Sequence, residues 1–328
     1  MVTPSTNAYR AGPATGSRTF LSRLREGDEI ARLVTLLFAA AVVLITVAIV
    51  YQLWVDSALS RHKFGWNFFI TDVWDPVFDQ FGALPFIYGT VVTSAVALFF
   101  AIPLGIGAAI FLAELAPAKI SDTLTFFIDL LAAVPSVIYG LLGVFILVPI
   151  MREVIQPFLK ATLGFLPIFS GPGYGVGFLT AGMVLAIMVI PFIISVSREV
   201  LMSVPRDQRE AALALGSTRW ESTWKVVVPF ARTGIFGSIF LALARALGET
   251  MAVTMVIGNT PKVAASLFAP GYSIAAVIAN EFTEATGDLY LHALIELGLV
   301  LFLLTFILNG LARLLILLTE RRGAEVRA

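Results

Sequence analysis

The chain has 328 residues, of which 58 % are hydrophobic and 13 % charged, against about 45–50 % and about 25 % in ordinary soluble domains. That balance excludes a disordered protein, a nucleic-acid-binding domain and a free cytosolic enzyme, and points to an all-α integral membrane protein. The 22 basic and 22 acidic side chains cancel, so only their placement is informative; cysteine is absent, and His62 and His292 are the sole histidines. Disulfides, thiolate nucleophiles and Cys- or His-rich metal centres are thereby set aside, and no metal ligands are expected.

Residues 1–31, with Pro4, Gly12, Pro13 and Gly16, read as a disordered cytoplasmic tail, 32–318 as the transmembrane domain and 319–328 as a second cytoplasmic tail. Apolar runs of about 20 residues suffice to cross the hydrocarbon. Six such spans follow, at roughly 33–55, 85–113, 123–150, 176–196, 233–258 and 290–312. The first is too long for a signal-peptide core and has no evident cleavage site, so it is expected to stay uncleaved. With both termini inside, sixteen Lys and Arg fall in cytoplasmic segments and five (Arg61, Lys63, Arg152, Lys160, Lys262) outside, which orients the chain.

Pro103 in the second span and Pro135 in the third predict kinks, serving either plain bending or gating. Leu104-Gly105-Ile106-Gly107 starts like a dinucleotide fingerprint but lies mid-span, so it reads as helix packing. In the third span Asp129 and Ser136, seven apart, share a helical face. They either line a pathway or include a buried, hydrogen-bonded carboxyl. Glycines 171, 173, 175 and 177 make a flexible outer loop without a convincing phosphate-cradling helix start.

The cytoplasmic loop, 197–232, is the most informative segment. Pro205 suits a helix start and Gly216 its end, with Ala211, Ala214 and Leu215 on one face. Thr218 followed by Glu221 is a capping box that opens a second helix at once. Glu210-Ala211-Ala212, three residues, Gly216, nine residues, Val226, one residue and Val228-Pro229 resemble the EAA motif of ABC-importer permeases, departing only at the two aliphatics. The resemblance implies the type I ABC-importer permease fold, with this loop as the coupling helix that docks on an ATPase. It carries that role to Glu210, Ala211, Ala212 and Gly216. None of the five lysines follows a glycine, so a P-loop is absent. ATP and Mg are therefore expected on a partner ATPase, and no cofactor on this chain.

Charges inside spans are functional candidates, since each costs about 2.5–3.5 kcal/mol on insertion scales. Arg245 and Glu249, four apart in the fifth span, are expected one turn apart on one helical face. An Arg fork matches a tetrahedral oxyanion, with Glu249 orienting it; a purely structural ion pair is the alternative. His292 and Glu296 read as a snorkelling interface pair in the last span.

Ala244–Asn259, Ala133–Gly140 and Phe111–Pro117 further resemble signatures of phosphate-importer permeases within that family, the similarity running from about residue 81 to the sixth span. That resemblance implies phosphate passage along Arg245 and Glu249, with Thr250, Thr254, Asp129 and Ser136 as further pathway candidates. It also implies a sister permease, an ATPase dimer and an extracytoplasmic phosphate-binding protein, in a bacterial plasma membrane. Such a subunit is a transporter component without catalytic residues of its own. Sulfate, molybdate or phosphonate fit the same architecture. An ion-coupled secondary transporter, with Glu249 and Asp129 relaying protons, is the rival from another class.

Overall fold

The computed structural model describes the backbone of residues 28–325 and the side chains of 30–314, so most of the expected first tail and the end of the second lie outside the described residues. The chain divides into two compact units, one through Gln52 and one from Leu53 onward. Among the described residues six helices are long and apolar enough to cross a membrane. Helix α1 (Asp28–Asp56) is apolar on every side, with Leu36, Leu37, Phe38 and Leu44 all well exposed, the pattern of a helix bathed in lipid.

In the second unit a short helix, α2 (Ala58–Phe64), precedes a small hairpin in which β1 (Trp74–Asp75) pairs antiparallel with β2 (Gln80–Phe81). Asp75 Oδ1 closes its turn by accepting the Val77 and Phe78 amides. An aromatic cluster anchors the hairpin: Trp74 lies edge-on to Phe81 and Phe86, and Phe81 stacks on Tyr290.

Two long helices run parallel through the centre, α3 (Leu84–Leu115) and, later in the chain, α6 (Phe178–Met202). Small residues let their backbones approach: a Cβ at Gly182 would lie 2.4 Å from Val96, and one at Gly105 would lie 2.7 Å from Ile193. Helix α3 continues through Pro103 and ends in a π-turn, Phe111–Leu115.

The third span departs from expectation. It is not one helix over 123–150; α4 (Ala118–Ala132) stops, and α5 (Ser136–Leu163) begins after a break at 133–135. Pro135 is extended (ψ 140°) and cannot donate a backbone bond, so the chain turns there rather than bending. Consequently Asp129 and Ser136 lie on different helices and share no face.

Beyond α6, the coupling-loop helix α7 (Arg206–Ala214) follows Pro205 as its N-cap, and Gly216 sits at φ +87°, a left-handed turn that a Cβ would strain. The Thr218–Glu221 capping box is present and opens α8 (Arg219–Leu247). The Thr218 amide and hydroxyl, and beyond them Lys225, hold the Glu221 carboxyl below the ordinary carboxylate range.

Helix α8 runs antiparallel to α6, with Ser238 Oγ 2.7 Å from Ser197 Oγ and Gly234 pressed on Val200. The fifth span also differs from expectation: α8 ends at Leu247, Gly248–Thr250 break the helix, and α9 (Met251–Ile257) resumes. A loop, α10 (Ile274–Glu281) and the long α11 (Asp288–Glu325) complete the described chain.

Candidate functional site

The two helix breaks face each other. The start of α5 packs on α9, where a Cβ at Gly140 would meet Met255 and Ala252, and one at Gly143 would meet Val256 and Val184. Along α6, the α8 contact at Ser197 and the α9 contact at Gly177, whose amide donates to the Val256 carbonyl, lie on either side of the 248–250 break. The break therefore sits at mid-height of the helical bundle. Interrupted helices at that depth are tolerated only where protein or a water-filled cavity satisfies the freed backbone.

Arg245, on the last turn of α8, is exposed, while Tyr139 of α5 is buried. Tyr139 donates its hydroxyl to the Leu131 carbonyl at 2.6 Å, a second donor beside the Val134 amide, and so ties α5 back to the end of α4 across the Pro135 break. The expected pairing of Arg245 with Glu249 on one face is not found. The helix ends between them, and the ion pairs recorded among the described residues do not include theirs. Instead Glu249 Oε1 accepts the Ala252 amide at 3.3 Å, capping the restart of the chain as α9. A carboxylate there satisfies an orphan N–H and complements the helix dipole.

Thr254 Oγ1 donates to the Thr250 carbonyl at 2.8 Å, while Thr250 Oγ1 is within 3.4 Å of the Gly248 carbonyl; both residues are half-buried beside the break. Ser136, half-buried, opens α5 directly after the other break. The structure thus places Glu249 and Thr250 within one break and Arg245, Thr254 and Ser136 on the helices that flank the two breaks. Asp129 lies apart on α4 and accepts the Ser195 hydroxyl at 2.9 Å.

At the coupling loop, Ala212 is the buried member of the EAA trio, whereas Glu210, Ala211 and Gly216 are exposed. The predicted apolar face stands free: Ala211 and Ala214 are exposed and Leu215 is 89 % exposed. Sequence reasoning missed the pair that seats this helix. Arg209 grips both oxygens of Glu114 in the α3 π-turn, at 2.7–3.2 Å, and also donates to the Leu201 and Val204 carbonyls at the end of α6. The signal available was Glu114 within the Phe111–Pro117 stretch, but nothing in the spacing named Arg209 as its partner.

Glu296 also differs from expectation. It is 2 % exposed rather than snorkelling, and His292 Nδ1 contacts the Asp56 carbonyl instead.

The family described as "Binding-protein-dependent transport system inner membrane component" matches residues 101–319. The chain is 45 % identical over 299 residues to "Phosphate transport system permease protein PstC" of Mesorhizobium japonicum, covering 90 % of this chain and 91 % of that protein. It is 49 % identical to the protein of that name from Haemophilus influenzae, over 86 % and 90 % of the two chains. The identity is 37 % to "Probable phosphate transport system permease protein PstC" of Methanocaldococcus jannaschii, over 87 % and 92 %. A bacterial ABC transporter "involved in the import of the acidic polysaccharide alginate" shares the fold, with TM-score 0.57 and 16 % identity over 89 % of this chain and 98 % of that one. With six membrane-spanning helices, an importer-permease fold and relatives of this kind along most of its length, the chain belongs to the family of binding-protein-dependent inner-membrane permeases, among the PstC proteins.

Proposed function

We propose that the chain is the PstC-type permease of an ATP-driven phosphate importer, and that phosphate passes the paired helix breaks beside Arg245. The observation that carries this reading is a guanidinium left exposed at mid-bundle, between two interrupted helices. Facing lipid, such a charge would cost about 2.5–3.5 kcal/mol on insertion scales. Facing a water-filled path closed on its other side by a second, PstA-like permease, it meets no such cost. The fork then offers paired N–H donors to phosphate oxygens. Glu249 is held at the start of α9 by the Ala252 amide, close in sequence but not clamped to the arginine, so Arg245 stays available to the anion.

The free apolar face of α7 supports docking of a PstB-like ATPase dimer, which binds the ATP and Mg. Arg209 joins that helix to the ends of α3 and α6. ATPase closure would thus be carried into the two central helices and reorient the breaks, which is alternating access. Nucleotide and substrate must favour different conformations for the coupling to work. A PstS-like binding protein would deliver phosphate at the hairpin end, which the excess of Lys and Arg at the coupling-loop end makes the extracytoplasmic face of a bacterial plasma membrane. The chain itself performs no catalysis in this reading.

The test is ATP-driven uptake of labelled phosphate by the assembled complex in vesicles, competed with sulfate and repeated with Arg245→Gln. Expected is phosphate-selective uptake that falls by about tenfold or more in the variant, since a charged hydrogen-bonding partner to the anion is lost. Full uptake in the variant would make Arg245 structural. Sulfate uptake in place of phosphate would overturn the substrate.

A further inference from the structure

The glycine loop between α5 and α6 closes over a stripe of donors. Arg152, Gln156 and Lys160 follow one another at four-residue spacing and so share one face of α5. Gly171–Gly175 lies across that face. Lys160 Nζ donates to the Gly171 carbonyl at 3.3 Å, and the Gly175 amide donates to Gln156 Oε1 at 3.0 Å. Glycine is required at Gly175, which holds φ +82° with a Cβ position only 2.7 Å from the Val148 carbonyl, and Gly173 lies close enough that a Cβ would sit 2.9 Å from Gln156 Oε1. Between loop and helix remains a cavity of about 210 Å³, lined by Arg152, Gln156, Lys160, Gly171 and Gly173 among others.

One feature of this cavity is unfinished. Gln156 is 2 % exposed, and with Oε1 committed to Gly175 its Nε2 meets no acceptor in the protein. A buried, unpartnered amide donor costs about 1–3 kcal/mol. Flanked by two cations, it calls for an acceptor that is anionic and offers several oxygens. Glu153 does not fill that role: it meets Arg152 only at 3.6 Å, with both side chains more than 60 % exposed, an arrangement that contributes little.

We propose that this pocket is a phosphate-group site at the hairpin end of the permease, separate from the Arg245 break. The group belongs either to inorganic phosphate held at the mouth of the pathway or to the headgroup of an anionic phospholipid. Exposed Phe158 and Phe165 nearby in the chain give a lipid tail somewhere to lie. The placement at the mouth rests on the phosphate-permease reading above; the ligand chemistry does not.

The test uses the full-length chain carrying Arg245→Gln, to silence the central site, in nanodiscs of zwitterionic lipid. Equilibrium binding of radiolabelled phosphate is compared with that of Arg152→Gln/Lys160→Gln and of Gln156→Glu. The latter keeps the acceptor for Gly175 while replacing the free donor by an oxygen that repels an anion, and thermal unfolding of each variant separates lost binding from lost folding. In parallel, nanodiscs containing phosphatidylglycerol are analysed by native mass spectrometry for lipid retained by each form. Saturable phosphate binding weakened about tenfold or more in both variants supports the site with the free anion as ligand. Retained phosphatidylglycerol lost in both variants supports it with the lipid as ligand. Equal behaviour of parent and variants in both arms overturns it. Because neither arm measures transport, failure here is distinct from failure of phosphate uptake by the complex.

Discussion

The guanidinium of Arg209 directs its N–H groups to two elements at once: to Glu114 on the π-turn of α3, and to Leu201 and Val204 where α6 ends. The Arg209 side chain is 21 % exposed and that of Glu114 9 %, so the fork is largely desolvated and geometrically specific. Arg209→Ala is expected to destabilise the chain by about 3 kcal/mol, the low end for breaking a buried pair. Glu114→Gln should do less, because an amide still accepts. The more telling measurement is phosphate moved per ATP hydrolysed in the assembled complex. A clasp that transmits motion predicts a several-fold drop in that ratio for Arg209→Lys, which keeps the charge but not the fork. An unchanged ratio would make the pair structural only.

At the scale of elements, the breaks in the third and fifth spans matter more than the spans themselves. Pro135 was legible as a disruption, but whether it bends or breaks the helix depends on what satisfies the freed groups. Tyr139 reaching back to the Leu131 carbonyl is a tertiary fact that no local pattern displays. Gly248-Glu249-Thr250 was less legible still. In an apolar run a lone glycine reads as a packing contact, and the four-residue spacing of Arg245 and Glu249 reads as one face of a helix. The break is visible only once Glu249 is seen capping α9. Gly248 has φ −93° and ψ 0°, compatible with alanine, and a Cβ there would meet nothing closer than the Ala244 carbonyl at 3.6 Å. Gly248→Ala is therefore expected to favour a continuous α8–α9 helix by up to about 1 kcal/mol, from propensity alone. Thermal unfolding should be unchanged or raised while phosphate uptake falls. Lowered stability with normal uptake would argue that the break has no part in transport. The coupling loop behaves oppositely. Its helix start, left-handed Gly216 and capping box are local chemistry, and each stands where the sequence pattern places it.

For the whole molecule, helix number and the importer-permease fold follow from hydropathy and the EAA spacing, whereas the proposed sidedness rests on charge alone. Arg206, Arg209, Arg219 and Lys225 cluster at the coupling-loop end, while Arg152 and Lys160 stand with the glycine loop at the hairpin end. On the proposed orientation the positive-inside rule puts the first group in the cytoplasm, the side on which an ATPase would dock. A chain without native cysteine allows a direct check, since every introduced thiol reports on one position alone. Gln208, exposed on α7, and Thr162, exposed near the end of α5, sit at opposite ends of the bundle. In spheroplasts making the chain without its ATPase, a membrane-impermeant maleimide is expected to label Thr162→Cys at once. Gln208→Cys should react only after permeabilisation. The reverse pattern would invert the topology, putting the coupling helix out of reach of any cytoplasmic ATPase and the phosphate-group pocket on the wrong face for capture. Equal labelling of both before permeabilisation would mean that the spheroplasts leak, which an intracellular cysteine protein labelled in parallel detects.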